Sequence, residues 1–315
     1  MSIETAMPKL VKLEPLRVAT AAALLLLAAL PARALTINAS FDATINANPT
    51  AKATILGAIA TYQSLFSDPI TVNIAFQNMA TGLGMSNTNY VTLNYNSYQA
   101  ALRADATSSS DATAMSFVPN AATDPVIGSN SLDVTNAQAA AVGLGPAMAV
   151  GLNGTVSLNL SLMNWDRVTI DAGKYDLQAV ASHEINEVLG TASGIGFPNI
   201  SPIDLFRYTL AGARTFTTLG DDAYFSINGS TQLARFNQNA GGDYADFWST
   251  GAHTPQVQDA FGTAGATPNL GVEIVMLDVV GFNLVSAVPE PSSMAMMFGG
   301  VLLIGGMARR RQQAA

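Results

Sequence analysis

The sequence of 315 residues contains no cysteine, two histidines and few charged side chains. Without thiols the chain can form no disulfide, no thiolate metal site and no cysteine nucleophile. Charged residues make up 11% of the chain, whereas an average soluble domain has about a quarter. Together with abundant Ala, Asn, Thr, Ser and Gly, this composition favours an exported bacterial protein over a cytosolic enzyme.

Basic residues are scarce in the central part of the chain. Residues 35–288 hold 7 Lys and Arg against 16 Asp and 3 Glu, which gives a net charge of −12. Surfaces that bind phosphate need the opposite sign, so nucleic acid is excluded as a partner. The segment is long enough to bury a core as one large domain without disulfides.

The N-terminal residues have the three parts of a secretory signal peptide. Lys9, Lys12 and Arg17 precede an uncharged apolar run at 18–30, and the small-residue sequence Ala32-Arg33-Ala34 follows it. A positive region, an apolar region and an A-x-A cleavage site occur in this order in signal peptides. We therefore expect residues 1–34 to be a signal peptide rather than a short membrane anchor.

The C-terminal residues resemble the PEP-CTERM sorting signal of Gram-negative bacteria. The sequence VPEP at 288–291 precedes 17 uncharged residues at 292–308, and three arginines follow at 309–311. The uncharged stretch is near the lower length limit for a transmembrane helix, and the arginines would remain cytoplasmic. The resemblance implies an exosortase as processing partner, transient anchoring in the inner membrane, and then a location in the envelope or outside the cell.

The central segment mixes strand and helix patterns, which predicts an α+β class. Alternating apolar residues predict strands near 35–41, 70–76 and 155–160. Apolar spacing of three and four predicts helices at 49–65, 97–105, from about residue 111, at 176–189 and at 271–280. An Asn-Gly pair at 228–229 predicts a β-hairpin in the C-terminal part. We therefore expect one domain at 35–285 between the signal peptide and a sorting signal at 288–311.

The segment HEINEVLG at 183–190 carries the strongest chemical signal. On a helix His183 and Glu187 lie one turn apart on the same face, so both can reach one ion. Glu184, displaced by about 100° around the helix, can act as general base on a water molecule. This spacing is that of H-E-x-x-H zinc enzymes, with Glu187 in place of the second histidine. Two of the three glutamates of residues 35–288 occur in this motif. The alternative is a solvated His-Glu pair on a helix surface.

Several motifs together resemble a zincin metalloprotease of the metzincin-like kind, in an HExxE variant found among PEP-CTERM proteins. The resemblance rests on HEINEVLG at 183–190, PIDLFRY at 202–208, GGDYADFW at 241–248, DAFG at 259–262 and LDVVGFN at 277–283. It implies a twisted mixed sheet above an active-site helix, a cleft, and a smaller C-terminal part with a hairpin and a final helix.

The third metal ligand is the open question at this site. The metzincin pattern would place it at Ser193, whose neutral hydroxyl is a poor zinc ligand. We take Asp204 as the first candidate, because a loop containing Gly and Pro could return it to the helix. His253 is the alternative, since imidazole is the better zinc ligand.

The expected function is a secreted metal-dependent peptidase that acts on a peptide or protein substrate. Zn²⁺ is the expected ion, and another divalent ion such as manganese is compatible with two carboxylates. One alternative is a noncatalytic envelope or extracellular-matrix protein that keeps a zincin scaffold. Another is a binding module whose acidic loops hold Ca²⁺. The acidic residues of those loops are Asp221, Asp222, Asp243 and Asp246.

Overall fold

The computed structural model describes residues 34–210, 212–218 and 222–285. The predicted signal peptide and C-terminal sorting segment lie outside the described residues. The strands are β1 (Thr36–Phe41), β2 (Thr71–Asn78), β3 (Gly84–Thr88), β4 (Tyr90–Asn94), β5 (Ser131–Thr135), β6 (Gly154–Leu158), β7 (Met163–Asn164), β8 (Tyr175–Asp176), β9 (Arg207–Leu210), β10 (Ala213–Arg214), β11 (Tyr224–Phe225) and β12 (Ala234–Arg235). The helices are α1 (Ala43–Asn46), α2 (Pro49–Leu65), α3 (Tyr95–Asp105), α4 (Ser109–Phe117), α5 (Asn136–Ala141), α6 (Leu177–Asn186) and α7 (Val272–Val279).

A mixed four-stranded sheet has the order β1-β2-β6-β3. The first three strands are parallel, and β3 lies antiparallel to β6 at one edge. In β2 the side chains of Val72, Ile74 and Phe76 are buried, while the residues between them are more exposed. This alternation buries one face of the sheet in the core. The predicted α+β class is confirmed.

Helix α2 connects β1 to β2 and has the predicted bounds. Pro49 lies in the first turn of α2. Backbone N–H groups in this turn have no acceptor within the helix, so the N–H that proline lacks costs no hydrogen bond. Ile55, Ile59 and Tyr62 form its buried face, and this face packs against α6. Burial of each large apolar side chain stabilises the fold by about 1.5–3 kcal/mol.

A second apolar core includes residues of the C-terminal part of the domain. It joins residues of α3, α4 and α7 to those of a small antiparallel sheet of order β10-β9-β11-β12. Strands β11 and β12 form the predicted hairpin, but Phe225 pairs with Ala234, so the connection is longer than the two-residue turn predicted. Asn228 accepts hydrogen bonds from the backbone N–H groups of Ser230 and Thr231, which builds a local turn inside a longer loop.

Among the described residues, none of the helices has the length and apolar character needed to cross a membrane. The expected membrane helix at 292–308 lies outside these residues.

Candidate metal centre

Helix α6 begins at a capped N-terminus and ends in a wider turn. The side chain of Asp176 accepts a hydrogen bond from the backbone N–H of Ala179, which is the contact typical of a helix N-cap. The α-helix ends at Asn186, three residues earlier than predicted, and a π-helical turn spans Glu187–Thr191. Gly190 has a φ of 140° there, and a Cβ atom at this position would lie 2.1 Å from Gln138 Cδ. Glycine therefore allows the helix to end against α5.

Three potential metal ligands converge at the C-terminal end of α6. The Nε2 atom of His183 lies 3.6 Å from Glu187 Oε1 and 3.4 Å from Asp246 Oδ1. One ligand atom from each of the three residues lies within 4.8 Å of the others. No other group of three or more His, Asp or Glu side chains in the described part of the chain could hold a metal ion. His183 and Glu187 are thus brought together with a residue from the C-terminal part.

The imidazole of His183 is held in one orientation. Its Nδ1 atom lies 3.0 Å from the backbone carbonyl oxygen of Val257. A carbonyl can only accept a hydrogen bond, so Nδ1 carries the hydrogen and Nε2 faces Glu187 and Asp246. A ring fixed in this way is typical of metal-binding histidines.

The two carboxylates are oriented by neutral side chains. Ser86 on the edge strand β3 donates a hydrogen bond of 2.6 Å to Glu187 Oε2. Gln258 donates through Nε2 to Asp246 Oδ1 at 2.9 Å. Neither partner adds a positive charge, so these hydrogen bonds direct the carboxylates without neutralising them.

Glu184 lies beside the cluster, against the backbone of β3. Its side chain is 5% exposed. A Cβ atom at Gly84 would lie 2.3 Å from Glu184 Oε1, so the close approach depends on glycine at this position. Glu184 lines the same cleft as His183 and Glu187.

The cleft has a volume of about 380 Å³ and opens to solvent. Residues of β3, α6 and the C-terminal loops line it. A second pocket of about 380 Å³ adjoins it, because Ser86, Glu187 and Asp243 line both. Among the residues that the structure describes, no Lys or Arg lines either pocket. The acidic residues that line them are Asp133, Asp176, Glu184, Glu187, Asp243, Asp246 and Asp259.

The electrostatics of the cluster favour a bound cation. Burial raises the pKa values of Glu184 and Asp246 well above the ordinary range. Burial also opposes the charge on His183, but Asp246, Glu187 and Glu184 together raise its pKa. Desolvation also opposes the charge on Glu187, which is partly buried, yet the neighbouring His183 lowers its pKa. One imidazole cannot balance this many carboxylates, and imidazole and carboxylate are ligands that divalent transition metals accept.

Asp204 has a structural role that differs from the predicted one. Its carboxylate accepts hydrogen bonds from Ser193 Oγ at 2.6 Å and from the backbone N–H groups of Gly194 and Ser201, both at 2.8 Å. Both oxygens are thus used to close the loop after α6. The prediction of Asp204 as the third group beside His183 is corrected, because Asp246 occupies that place.

The other predicted candidates also lie elsewhere. His253 Nε2 lies 2.9 Å from Asp259 Oδ2, and its Nδ1 lies 2.9 Å from the carbonyl oxygen of Gly251. Asp222 pairs with Arg235, and Asp221 lies outside the described residues. Asp243 lines the cleft but accepts its shortest hydrogen bond from the backbone of Ala245. The three of these acidic residues that the structure describes, Asp222, Asp243 and Asp246, therefore do not form one Ca²⁺ site.

The sequence suggested Asp246 only as a loop carboxylate for Ca²⁺, and it did not indicate Gln258 as a functional residue. GGDYADFW was noted as a motif, and its second aspartate is Asp246. No local pattern marks Gln258, because its role depends on contacts between distant segments.

Comparison with known proteins bears on the C-terminus. Residues 287–312 match the PEP-CTERM protein-sorting motif. The PEP-CTERM motif implies processing by an exosortase and indicates export and extracellular sorting in Gram-negative bacteria. No curated protein and no solved structure matches the chain.

Proposed function

We propose that this protein is an exported peptidase that depends on a divalent metal ion. His183, Glu187 and Asp246 hold the ion, and Glu184 is the general base. The observation that carries this proposal is the convergence of three metal-ligand side chains beside Glu184 in an open cleft.

The arrangement of elements supports a zincin-like fold. Helix α6 carries His183 and Glu184, and it packs near a mixed sheet whose edge strand is antiparallel. The third candidate ligand, Asp246, comes from the C-terminal part. Zn²⁺ is the proposed ion, and the two carboxylates also suit Mn²⁺.

A divalent ion in this cluster would polarise the scissile carbonyl and lower the pKa of a water molecule. His183 presents Nε2 to the centre because Val257 holds Nδ1. Glu184 accepts the proton of the attacking water and delivers it to the nitrogen of the leaving amine as the C–N bond breaks. Its burial raises its pKa, which suits a group that must take up and release a proton.

The edge strand β3 suits an extended peptide. Among the described strands, β6 is the only one that pairs with β3, and Gly84, Met85 and Ser86 line the cleft. An extended chain can add to such an edge through backbone hydrogen bonds. This would place a peptide bond of the substrate next to Glu184.

Delivery follows from the two ends of the chain. We propose that residues 1–34 direct export and that residues 292–308 anchor the protein transiently in the inner membrane. Cleavage by the exosortase then leaves the peptidase in the envelope or outside the cell. A noncatalytic envelope or matrix protein is the second candidate, favoured by a donor set with only one imidazole.

Two variants of the full-length protein test the proposal. We expect Glu184→Gln to reduce casein hydrolysis at least 100-fold while the metal content stays that of the wild type. We expect His183→Ala to lose both metal and activity, as measured by elemental analysis and the casein assay. Hydrolysis that persists in Glu184→Gln would contradict the proposed mechanism. A wild type that holds metal but cleaves no peptide would favour the noncatalytic alternative.

A further inference from the structure

Gln258 lies between the loop that carries Asp246 and the helix that carries His183. Its side chain is fully buried, with 0% of its surface exposed. Nε2 donates to Asp246 Oδ1 at 2.9 Å, and Oε1 accepts from Asn186 Nδ2 at 2.9 Å. One amide therefore joins a candidate ligand to the last residue of α6.

Gln258 donates its hydrogen bond to the oxygen of Asp246 that faces His183. Asp246 Oδ1, which accepts from Gln258, is also the oxygen that lies 3.4 Å from His183 Nε2. The backbone carbonyl of Gln258 accepts a hydrogen bond of 2.7 Å from the N–H of Phe247. Gln258 thus restrains both the carboxylate of residue 246 and the backbone next to it.

Two further helices fix the position of Gln258. Its backbone N–H donates to Glu273 Oε1 on α7 at 3.0 Å. Its partner Asn186 has its Oδ1 atom 2.8 Å from the hydroxyl of Tyr62 on α2. Asn186 and Tyr62 are fully buried, and Glu273 is almost so. In a buried network each bond is strengthened by the low dielectric, and each unmade bond is costly.

We propose that Gln258 is the positioning residue of this centre, which sets the place of Asp246 relative to His183. This inference rests on the proposed function. Together with Val257, whose carbonyl holds His183 Nδ1, Gln258 makes residues 257–258 a clamp that orients two of the three candidate ligands.

The chemistry of the contacts requires a glutamine side chain. The carboxylate of Asp246 needs a donor, and the NH₂ group of Asn186 needs an acceptor. A glutamine amide offers both, whereas ionised glutamate offers no donor, and methionine offers no donor and only a weak sulfur acceptor. Asparagine has the amide but is one methylene shorter.

Co²⁺ binding to the full-length protein tests the proposal, with Gln258→Met as the main variant. Its unbranched side chain preserves length and apolar packing. Loss of a partner that orients a metal ligand typically costs about 10- to 100-fold in metal affinity. We expect a loss of this size in a Co²⁺ titration, and a changed visible absorption spectrum of the bound Co²⁺.

Gln99→Met is the matched control. Gln99 on α3 is 1% exposed, donates to Asn120 Oδ1 at 2.7 Å and accepts from Arg103 Nε at 2.8 Å. It does not line the cleft. We expect this variant to lose thermal stability while keeping the Co²⁺ affinity and spectrum of the wild type.

The outcomes separate this proposal from the proposed function. Wild-type Co²⁺ affinity and spectrum in Gln258→Met would overturn the role of Gln258. If that variant does not fold, Gln258→Asn replaces it, and wild-type binding there would have the same meaning. A wild type that binds Co²⁺ but cleaves no peptide would contradict only the peptidase. A wild type that binds no Co²⁺ would overturn both.

Discussion

Gly84 lies where the edge strand β3 passes the carboxylate of Glu184. A methyl group there would meet Glu184 Oε1 at 2.3 Å and Val180 Cγ1 at 2.8 Å. Distances below 3 Å force one of the groups to move, and Glu184 is the polar group that the proposed reaction uses. Even the methyl group of alanine at position 84 is therefore enough to displace the proposed general base.

We expect Gly84→Ala to lower kcat/KM for peptide hydrolysis at least tenfold while metal content stays unchanged. A shift of about 1 Å in a catalytic group can cost 100-fold in rate. The control is Gly57→Ala, because Gly57 lies inside α2 and a Cβ atom there meets nothing within 4 Å. This control should keep full activity and gain about 0.5–1 kcal/mol of stability. Unchanged kinetics in Gly84→Ala would contradict the assigned position of Glu184.

Asp204 and Asp246 show why the sequence alone could not identify the third candidate ligand. Helical spacing was enough to place His183 and Glu187 on one face, because they are one turn apart. Asp246 is separated from them by a long stretch of chain, so its approach depends on the packing of the C-terminal part. Asp204 has the same charge and is nearer in sequence, but the N–H groups of its own loop use its oxygens. Nothing local distinguishes the two carboxylates.

At the scale of elements, long segments with clear periodicity were predicted best. The bounds of α2 and the positions of β1, β2, β6 and α7 are close to those expected. Strand β3, which forms one wall of the cleft, was not predicted, since its short polar sequence lacks an alternating pattern. The residues of β3 adopt a strand because they pair with β6. The local sequence does not encode this pairing.

A buried carboxylate joins the end of α2 to the C-terminal end of the domain. Asp68 is 1% exposed and accepts a hydrogen bond from the backbone N–H of Asn283 at 2.9 Å. Burial, assisted by the charge of Asp105, raises the pKa of Asp68 from 3.8 to about 7. The unfolded chain has the lower pKa. Between pH 3.8 and about 7 the carboxyl group of Asp68 is therefore protonated in the folded state and ionised in the unfolded chain. Stability from this group is therefore present below about pH 4 and is lost as the pH rises to about 7.

We expect Asp68→Asn to be more stable than the wild type above pH 7, by up to about 4 kcal/mol, because each pKa unit corresponds to about 1.4 kcal/mol. Below pH 4 the two proteins should be similarly stable. Urea unfolding at pH 4, 6 and 8 measures the difference. A variant whose stability differs from that of the wild type by the same amount at all three pH values would show that folding does not raise the pKa of Asp68.

At the scale of the whole molecule, charge is distributed in a way that favours one class of substrate. Residues 35–288 have a net charge of −12. Of the described residues that line the two pockets at the centre, several are acidic and none is Lys or Arg. Clefts lined by one sign of charge concentrate ligands of the opposite sign. Tyr90 and Phe197 also line the second pocket, and aromatic rings attract ammonium and guanidinium groups.

We expect peptides that contain lysine to be cleaved with about tenfold higher kcat/KM than matched glutamate peptides at low salt. Glutamine peptides, which are similar in size but neutral, should lie between them. The difference should decrease as salt screens the charges. Equal rates for all three peptides at low salt would contradict this role of the acidic pockets.

The central claim is that one divalent ion is bound by His183, Glu187 and Asp246. Its most direct test is a crystal structure of the protein grown with Zn²⁺, with anomalous diffraction measured at the zinc edge. We predict a single strong peak about 2.0–2.2 Å from His183 Nε2 and from an oxygen of each carboxylate. A peak bound to Asp204 or to His253 and Asp259, or no peak at the end of α6, would contradict the account.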